Sequence, residues 1–152
     1  MIQSYYGSRL GDVPNNATGG LYLLRSISHS SYYRMGESAA IKSRLGTHGG
    51  NAPKGEWKKA PNFAETFRPW EPIWIATIGD VSKLARVACE HMLFATFSVR
   101  YPLVDESAFE ADPDNVAPLL ELAEFALAQC ASVLLVQDRD KFDKKAHWGM
   151  SR

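Results

Sequence analysis

Two rhythms of apolar and polar positions alternate along this chain. Residues 20–27, "GLYLLRSI", form a compact apolar run suited to a buried strand. The following "SHSS" is turn chemistry, and residues 32–36, "YYRMG", make a second strand-like run, so the pair predicts an antiparallel hairpin. The spacing then changes. Ser38 stands where a helix N-cap belongs, residues 39–48, "AAIKSRLGTH", carry Ile41 and Leu45 at i and i+4, and Gly46, Gly49 and Gly50 close the segment. Lys42 and Arg44 fall on the outer face of that short helix.

Residues 49–70 hold three prolines with much Gly and Asn and read as a long loop, a feature that is usually functional inside a compact domain. In "EPIWIATIG", residues 71–79, Ile73, Ile75 and Thr77 alternate with Trp74, Ala76 and Ile78, which predicts a strand covered on both faces. Asp80 is placed to cap a helix over residues 81–97 that is apolar almost all round and therefore central. A further helix begins between Asp114 and Pro118, and the charged tail from residue 138 is expected to fray or dock loosely.

The element order is thus β-β-α-β-α with an added C-terminal helix. It predicts an α+β fold, a small central antiparallel three-stranded sheet flanked by helices. Residues 1–152 form one domain, with a core over 20–101 and a helical extension over 102–152.

Composition narrows the class without changing this outline. A 45% hydrophobic and 22% charged chain of 152 residues is long enough to bury a core and excludes a disordered or collagen-like polymer. No leader pattern opens the N-terminus, and no segment is expected to reach the ~20 apolar residues of a membrane span, so a cytoplasmic, nucleoid or nuclear protein is predicted. Cys89 and Cys130 each lie in an apolar segment and read as buried reduced thiols.

Charge adds a partner. The net charge is zero, yet residues 34–68 carry seven Lys/Arg against three Glu, while residues 105–143 carry ten acids against Arg139 and Lys141. A basic segment of this kind suits a polyanion, because Lys and Arg neutralise phosphates and release counterions; the competing reading is a set of solvated loop charges. Within it Lys42, Lys54, Trp57, Lys58, Lys59 and Arg68 mix cations with an aromatic ring, as phosphate tracking and base stacking require, although simple loop packing of Trp57 and Trp70 fits equally.

The order and spacing of Gly20-Leu21-Tyr22, Arg34-Met35-Gly36, Arg44 eight residues past that glycine, His48 four further on, and Glu90 in the helix after the third strand resemble the GIY-YIG endonuclease family. The likeness spans Gly20 to Tyr101, about half the chain. Where the family's name motif has its second tyrosine this chain has Arg34, which brings it nearer to branches with a basic residue there. Side chains alternate along a strand, so Arg34 and not Tyr33 is placed in the site. The resemblance implies Tyr22, Arg34, Arg44, His48 and Glu90 as the catalytic set.

Chemistry assigns each a part. Phosphodiester hydrolysis needs a nucleophilic water, a cation at the phosphoryl oxygens and stabilisation of the leaving oxygen. Glu90, expected among Val87, Leu93, Phe94 and Phe97, needs a partner; Mg²⁺ (or Mn²⁺) is the implied one, and an ion pair with Arg86 at i−4 is the alternative. Arg44 can fork two donors onto phosphate, or be a solvated helix arginine. Tyr22 would orient or deprotonate the water if a nearby cation lowers its pKa, or bury its hydroxyl against backbone. Arg34 cannot be a base and would hold phosphate or push Tyr22 towards phenolate. His48 would relay a proton, touch phosphate, or merely favour the helix C-terminus. His29 and His91 stay outside the set.

The expectation is a metal-dependent nuclease acting on DNA, with RNA also compatible, as a monomer or homodimer. A binding module of the same fold without turnover, and an interaction domain using the acidic C-terminal helix, are the alternatives.

Overall fold

In a computed structural model of the chain the described residues are 2–50 and 62–147, with side chains described as far as residue 134. The strands are β1 (Gln3–Tyr6), β2 (Gly19–Ser26), β3 (Tyr32–Ser38), β4 (Trp70–Gly79), β5 (Leu103–Asp105) and β6 (Ala108–Glu110); the helices are α1 (Ile41–His48), α2 (Phe63–Thr66), α3 (Lys83–Ser98) and α4 (Ala117–His147). A 3₁₀ turn over Gly7–Asp12 follows β1. The α+β class holds, but the sheet has six strands in the order β1-β4-β2-β3-β6-β5 rather than three, and every pairing is antiparallel. The three predicted strands are its centre. The added ones are three or four residues long, too short to show a period.

Alternation sorts the sheet's two faces. Leu21, Leu23, Tyr33, Met35, Trp74 and Ala76 pack against α3 and α4, whose Ala85, Cys89, Leu93, Phe97, Leu119, Ala123 and Cys130 complete the main core. Tyr22, Leu24 and Ile75 point the other way, into a smaller cluster with Tyr5, Val13, Ile41 and Trp70 beneath α1 and α2. Both cysteines are buried and free. Among the described residues α3 buries one stripe, Ala85, Cys89, Leu93 and Phe97, and exposes Leu84, His91 and Ala95, so it is amphipathic and not apolar all round.

Two helix starts differ from expectation. Ser38 ends β3; its hydroxyl accepts the Ala40 N–H at 3.0 Å, and α1 begins at Ile41 with no side-chain cap. Ser82, not Asp80, caps α3, accepting the Ala85 N–H at 3.1 Å, because Gly79 turns at φ 86° and delays the helix by two residues.

The 49–70 segment is less irregular than its composition suggests. Asn62 and Glu65 form a capping box for α2, and Trp70 opens β4 with its indole N–H on the Ala64 carbonyl at 2.8 Å. Lys54, Trp57, Lys58 and Lys59 lie outside the described residues. The tail continues α4 as far as His147 instead of fraying from residue 138. Within α4, Ala117–Leu134 is long and apolar enough to cross a membrane by length and composition alone, which amends the expectation that no such stretch exists. In this fold Leu119, Ala123, Ala126, Leu127 and Cys130 of that stretch are buried in the main core.

Because Leu93 is fully buried where α3 meets the sheet, Leu93→Ala should cost about 2–5 kcal/mol in urea unfolding, whereas Leu84→Ala, 77% exposed, should change stability by less than ~0.5 kcal/mol. Equal midpoints for the two variants would contradict this packing.

Candidate active site

Tyr22 and Gly36 face each other directly across β2 and β3. A β-carbon on Gly36 would overlap the phenol oxygen and ring of Tyr22, so the missing side chain is what lets the ring lie across β3. Gly20, two pairs earlier in the strand, makes room in the same way. A β-carbon there would come within 3.0 Å of Ile41 Cγ1 and 2.9 Å of the Ala76 carbonyl, so its absence seats the first turn of α1 on the sheet. The helix therefore enters low, and its last turn places His48, only 4% exposed, beside Tyr22.

The result is a three-residue contact. Tyr22 Oη lies 3.2 Å from His48 Nε2, and Arg34 Nη1 lies 3.1 Å from each ring nitrogen of His48. A guanidinium only donates, so the imidazole must offer it a lone pair. All three groups are satisfied when Nδ1 accepts from Arg34 and Nε2–H donates to the Tyr22 oxygen. Tyr22 then keeps its own O–H uncommitted among the described residues. Arg34 is steadied from its other side by Nε donating to Ser107 Oγ at 3.3 Å, in the turn between β5 and β6.

Electrostatics agrees with a neutral ring. Burial first, then the charges of Arg34, Arg44 and Arg68, lower the His48 pKa from 6.5 to about 4. Burial likewise lowers that of Arg34, which remains a cation. For Tyr22 burial raises the pKa above 10 and outweighs the opposing pull of Arg34 and Arg44. The condition set for Tyr22 as a base, a pKa lowered by a nearby cation, is therefore not met: a strand phenol under a helix loses more hydration than two guanidiniums return, so Tyr22 is a neutral phenol near pH 7. Near pH 7 His48 is then an uncharged ring within hydrogen-bond distance of the phenol.

Glu90 approaches from the α3 side. Beyond Met35, β3 has no outer strand, since β6 pairs only with Tyr32, Tyr33 and Arg34, and α3, packed on the face of Tyr33 and Met35, reaches Glu37 through Arg86. The competing ion pair with Arg86 is not formed: Arg86 Nε bonds Glu37 Oε2 at 2.8 Å and its Nη1 bonds the Val81 carbonyl at 2.8 Å. Among the described residues Glu90 has no salt bridge. Burial and then the like charge of Glu37 raise its pKa, while the Glu37 backbone, His91 and Arg34 pull it down. Val87 and Phe94 on its helix are half-buried, so its setting is mixed and not purely apolar.

Of the residues predicted from sequence, Tyr22, Arg34 and His48 touch, and the charges of Arg44 and Glu90 reach Tyr22 and Arg34. Arg44 is exposed on α1 one turn before His48, free to reach a ligand; Lys42 is exposed on the same helix. Tyr33 is buried on the opposite face, stacked on Phe109 with centroids 5.4 Å apart, as the alternation requires. Arg68 is half-buried with its Nε enclosed and unpartnered among the described residues, and its charge acts on His48. No family model, curated protein or solved structure matches the chain.

Two measurements follow from this contact. Gly36→Ala should destabilise the fold by about 1–3 kcal/mol, and should cost less when made in a Tyr22→Ala background; strict additivity would mean that ring and glycine do not meet. The His48 ring should titrate by NMR near pH 4. Its folded pKa lies below its unfolded value, so the unfolded chain takes up the proton first and stability falls as pH drops from about 6.5 towards 4. His48→Gln should flatten that slope, and a midpoint near 6.5 would place the ring in solvent.

Proposed function

We propose that the chain is a metal-dependent nuclease of GIY-YIG type that hydrolyses phosphodiester bonds in DNA, with RNA a second candidate substrate. The observation that carries this reading is the Tyr22–His48–Arg34 contact, built over Gly36 and bordered by Arg44 and Glu90. A core tyrosine needs only one backbone partner. This one lies within hydrogen-bond distance of a neutral histidine that the half-buried Arg34 also contacts, which sets an oriented phenol beside a guanidinium.

In the proposed reaction Arg34 and Arg44 bind the non-bridging phosphoryl oxygens and gain most as charge builds on them. Tyr22 orients the attacking water, with His48 fixing the phenol's direction through Nε2–H. Neutral Tyr22 accepts a hydrogen bond from the water while its own O–H donates to a non-bridging phosphoryl oxygen, so the water's proton crosses the phenol to that oxygen and no phenolate need pre-exist.

Glu90 fits a divalent cation. It is a hard oxygen donor without a salt bridge among the described residues, and Mg²⁺ commonly takes one or two carboxylates with substrate oxygens and waters. No group of three or more His, Cys, Asp or Glu able to hold an ion occurs among the described residues, so an all-protein cage is not the model. Bound there, Mg²⁺ (or Mn²⁺) supplies positive charge to the phosphoryl and leaving oxygens. Glu37 is committed to Arg86 and keeps the local charge from doubling.

The binding module without turnover differs only in chemistry. Glu90→Gln should leave the melting temperature nearly unchanged and abolish Mg²⁺-dependent cleavage of plasmid and branched DNA. Arg44→Ala should slow single-turnover cleavage ~100-fold or more while weakening binding in Ca²⁺ only modestly. Equal rates for wild type and Glu90→Gln refute the site. Salt-sensitive binding by a wild type that cuts no DNA or RNA favours the module.

A further inference from the structure

The turn between β2 and β3 is tied down more firmly than a hairpin tip requires. Buried Ser26 accepts the His29 N–H at 3.1 Å and donates its hydroxyl to the Phe67 carbonyl at 2.8 Å. Ile27 N–H bonds the Pro69 carbonyl at 3.0 Å, and Tyr32 N–H bonds the His29 carbonyl at 2.9 Å. The tip is thereby fastened to the segment that follows α2.

What these bonds hold in place is a ladder of rings. His29 lies parallel to Tyr32, with centroids 5.6 Å apart and planes 8° from each other, and Phe67 sets its edge against both, at 4.6 Å and 5.1 Å. Phe63 packs behind Tyr32. The outermost ring, His29, is exposed. An aromatic ring presented to solvent by a rigid mount has already lost the freedom that stacking on it would otherwise cost.

The ladder shares the face of the candidate active site. Tyr32 and Arg34 are two residues apart on one side of β3, about 7 Å along the strand. Arg68, next after Phe67, turns its charge towards His48 and encloses an Nε that has no partner among the described residues. Stacked rings with guanidiniums one short step away match a base and its adjoining phosphate.

We propose that His29, backed by Tyr32 and Phe67, is the outer plate of a stacking subsite for an unpaired nucleobase next to the phosphate held by Arg34 and Arg44. This deepens the nuclease reading and rests on it. A paired base has both faces covered by its neighbours and must be unstacked before it can lie on His29. A base already single-stranded needs no such opening, so the substrate class is nucleic acid with an unpaired nucleotide beside the cut: a flap, a bubble or a single-strand junction.

The test uses the full chain and two oligonucleotide duplexes, one carrying 2-aminopurine unpaired at a flap junction and one carrying it paired. Fluorescence and affinity are read in Ca²⁺, and cleavage in Mg²⁺. Wild type and His29→Tyr should quench the unpaired probe and bind the flap roughly tenfold tighter than the duplex, and His29→Ala should lose both the quench and the preference. Circular dichroism checks that the exposed substitution leaves the fold intact. Identical quenching and affinity in wild type and His29→Ala overturn the subsite, and cleavage of flap and duplex alike would then leave the nuclease reading standing. His29-dependent quenching without cleavage by any variant retains the subsite and removes the nuclease reading. No binding to either probe removes both.

Discussion

Everything at the candidate site depends on one short distance, the approach of the Tyr22 ring to the backbone of Gly36. A side chain on β3 at that position would lift the ring off the sheet, and the phenol could no longer meet an imidazole arriving from the end of α1. Gly20 acts on the other partner by lowering α1 onto the sheet. The two glycines fix the height of a strand residue and of a helix, and the bond between Tyr22 and His48 is where those heights agree. Neither glycine has a positive φ, so the demand is for space and not for an unusual backbone.

The polar contact built on that packing is ordered by what each member cannot do. Arg34 cannot accept a hydrogen bond, which obliges His48 to be neutral, and a neutral His48 with Nδ1 engaged has only Nε2–H to give to Tyr22. On the far side Arg86 takes Glu37 and leaves Glu90 without a cation among the described residues. The phenol thus feels both signs, from Arg34 and Arg44 and from Glu90 and Glu37. A phosphodiester has the same division of needs, cations at its non-bridging oxygens and a metal-binding carboxylate close by.

The centre of the fold was legible because its signals are local. Alternation in "YYRMG" puts Arg34 and Tyr33 on opposite faces, and the three long strands announce themselves by apolar runs. β1, β5 and β6 do not: "QSYY", "LVD" and "AFE" contain too few residues to show a period, and they are strands because an edge was waiting to be paired. Ser38 and Asp80 are good caps by composition, but the sheet register and the turn at Gly79 decided where the helices begin. The direction of the Tyr22 shift was hidden too, since a sequence displays neighbouring charges but not how much water a folded phenol has lost. His29 stayed outside the predicted set because its partners, Tyr32 and Phe67, lie 3 and 38 residues away and only the fold assembles them.

The bond from Arg34 to Ser107 carries an implication for how such a chain can vary. Ser107 sits in the turn of the β5–β6 hairpin, beyond the part of the chain whose motifs suggested any chemistry, and β6 is the strand that covers Tyr32 to Arg34. A tight turn at the rim of a sheet is where insertions are ordinarily tolerated. Here the rim also steadies a half-buried guanidinium, so length changes in that turn are coupled to the charge at the centre. Drift in this periphery would retune the candidate site while every residue of the motif stayed the same.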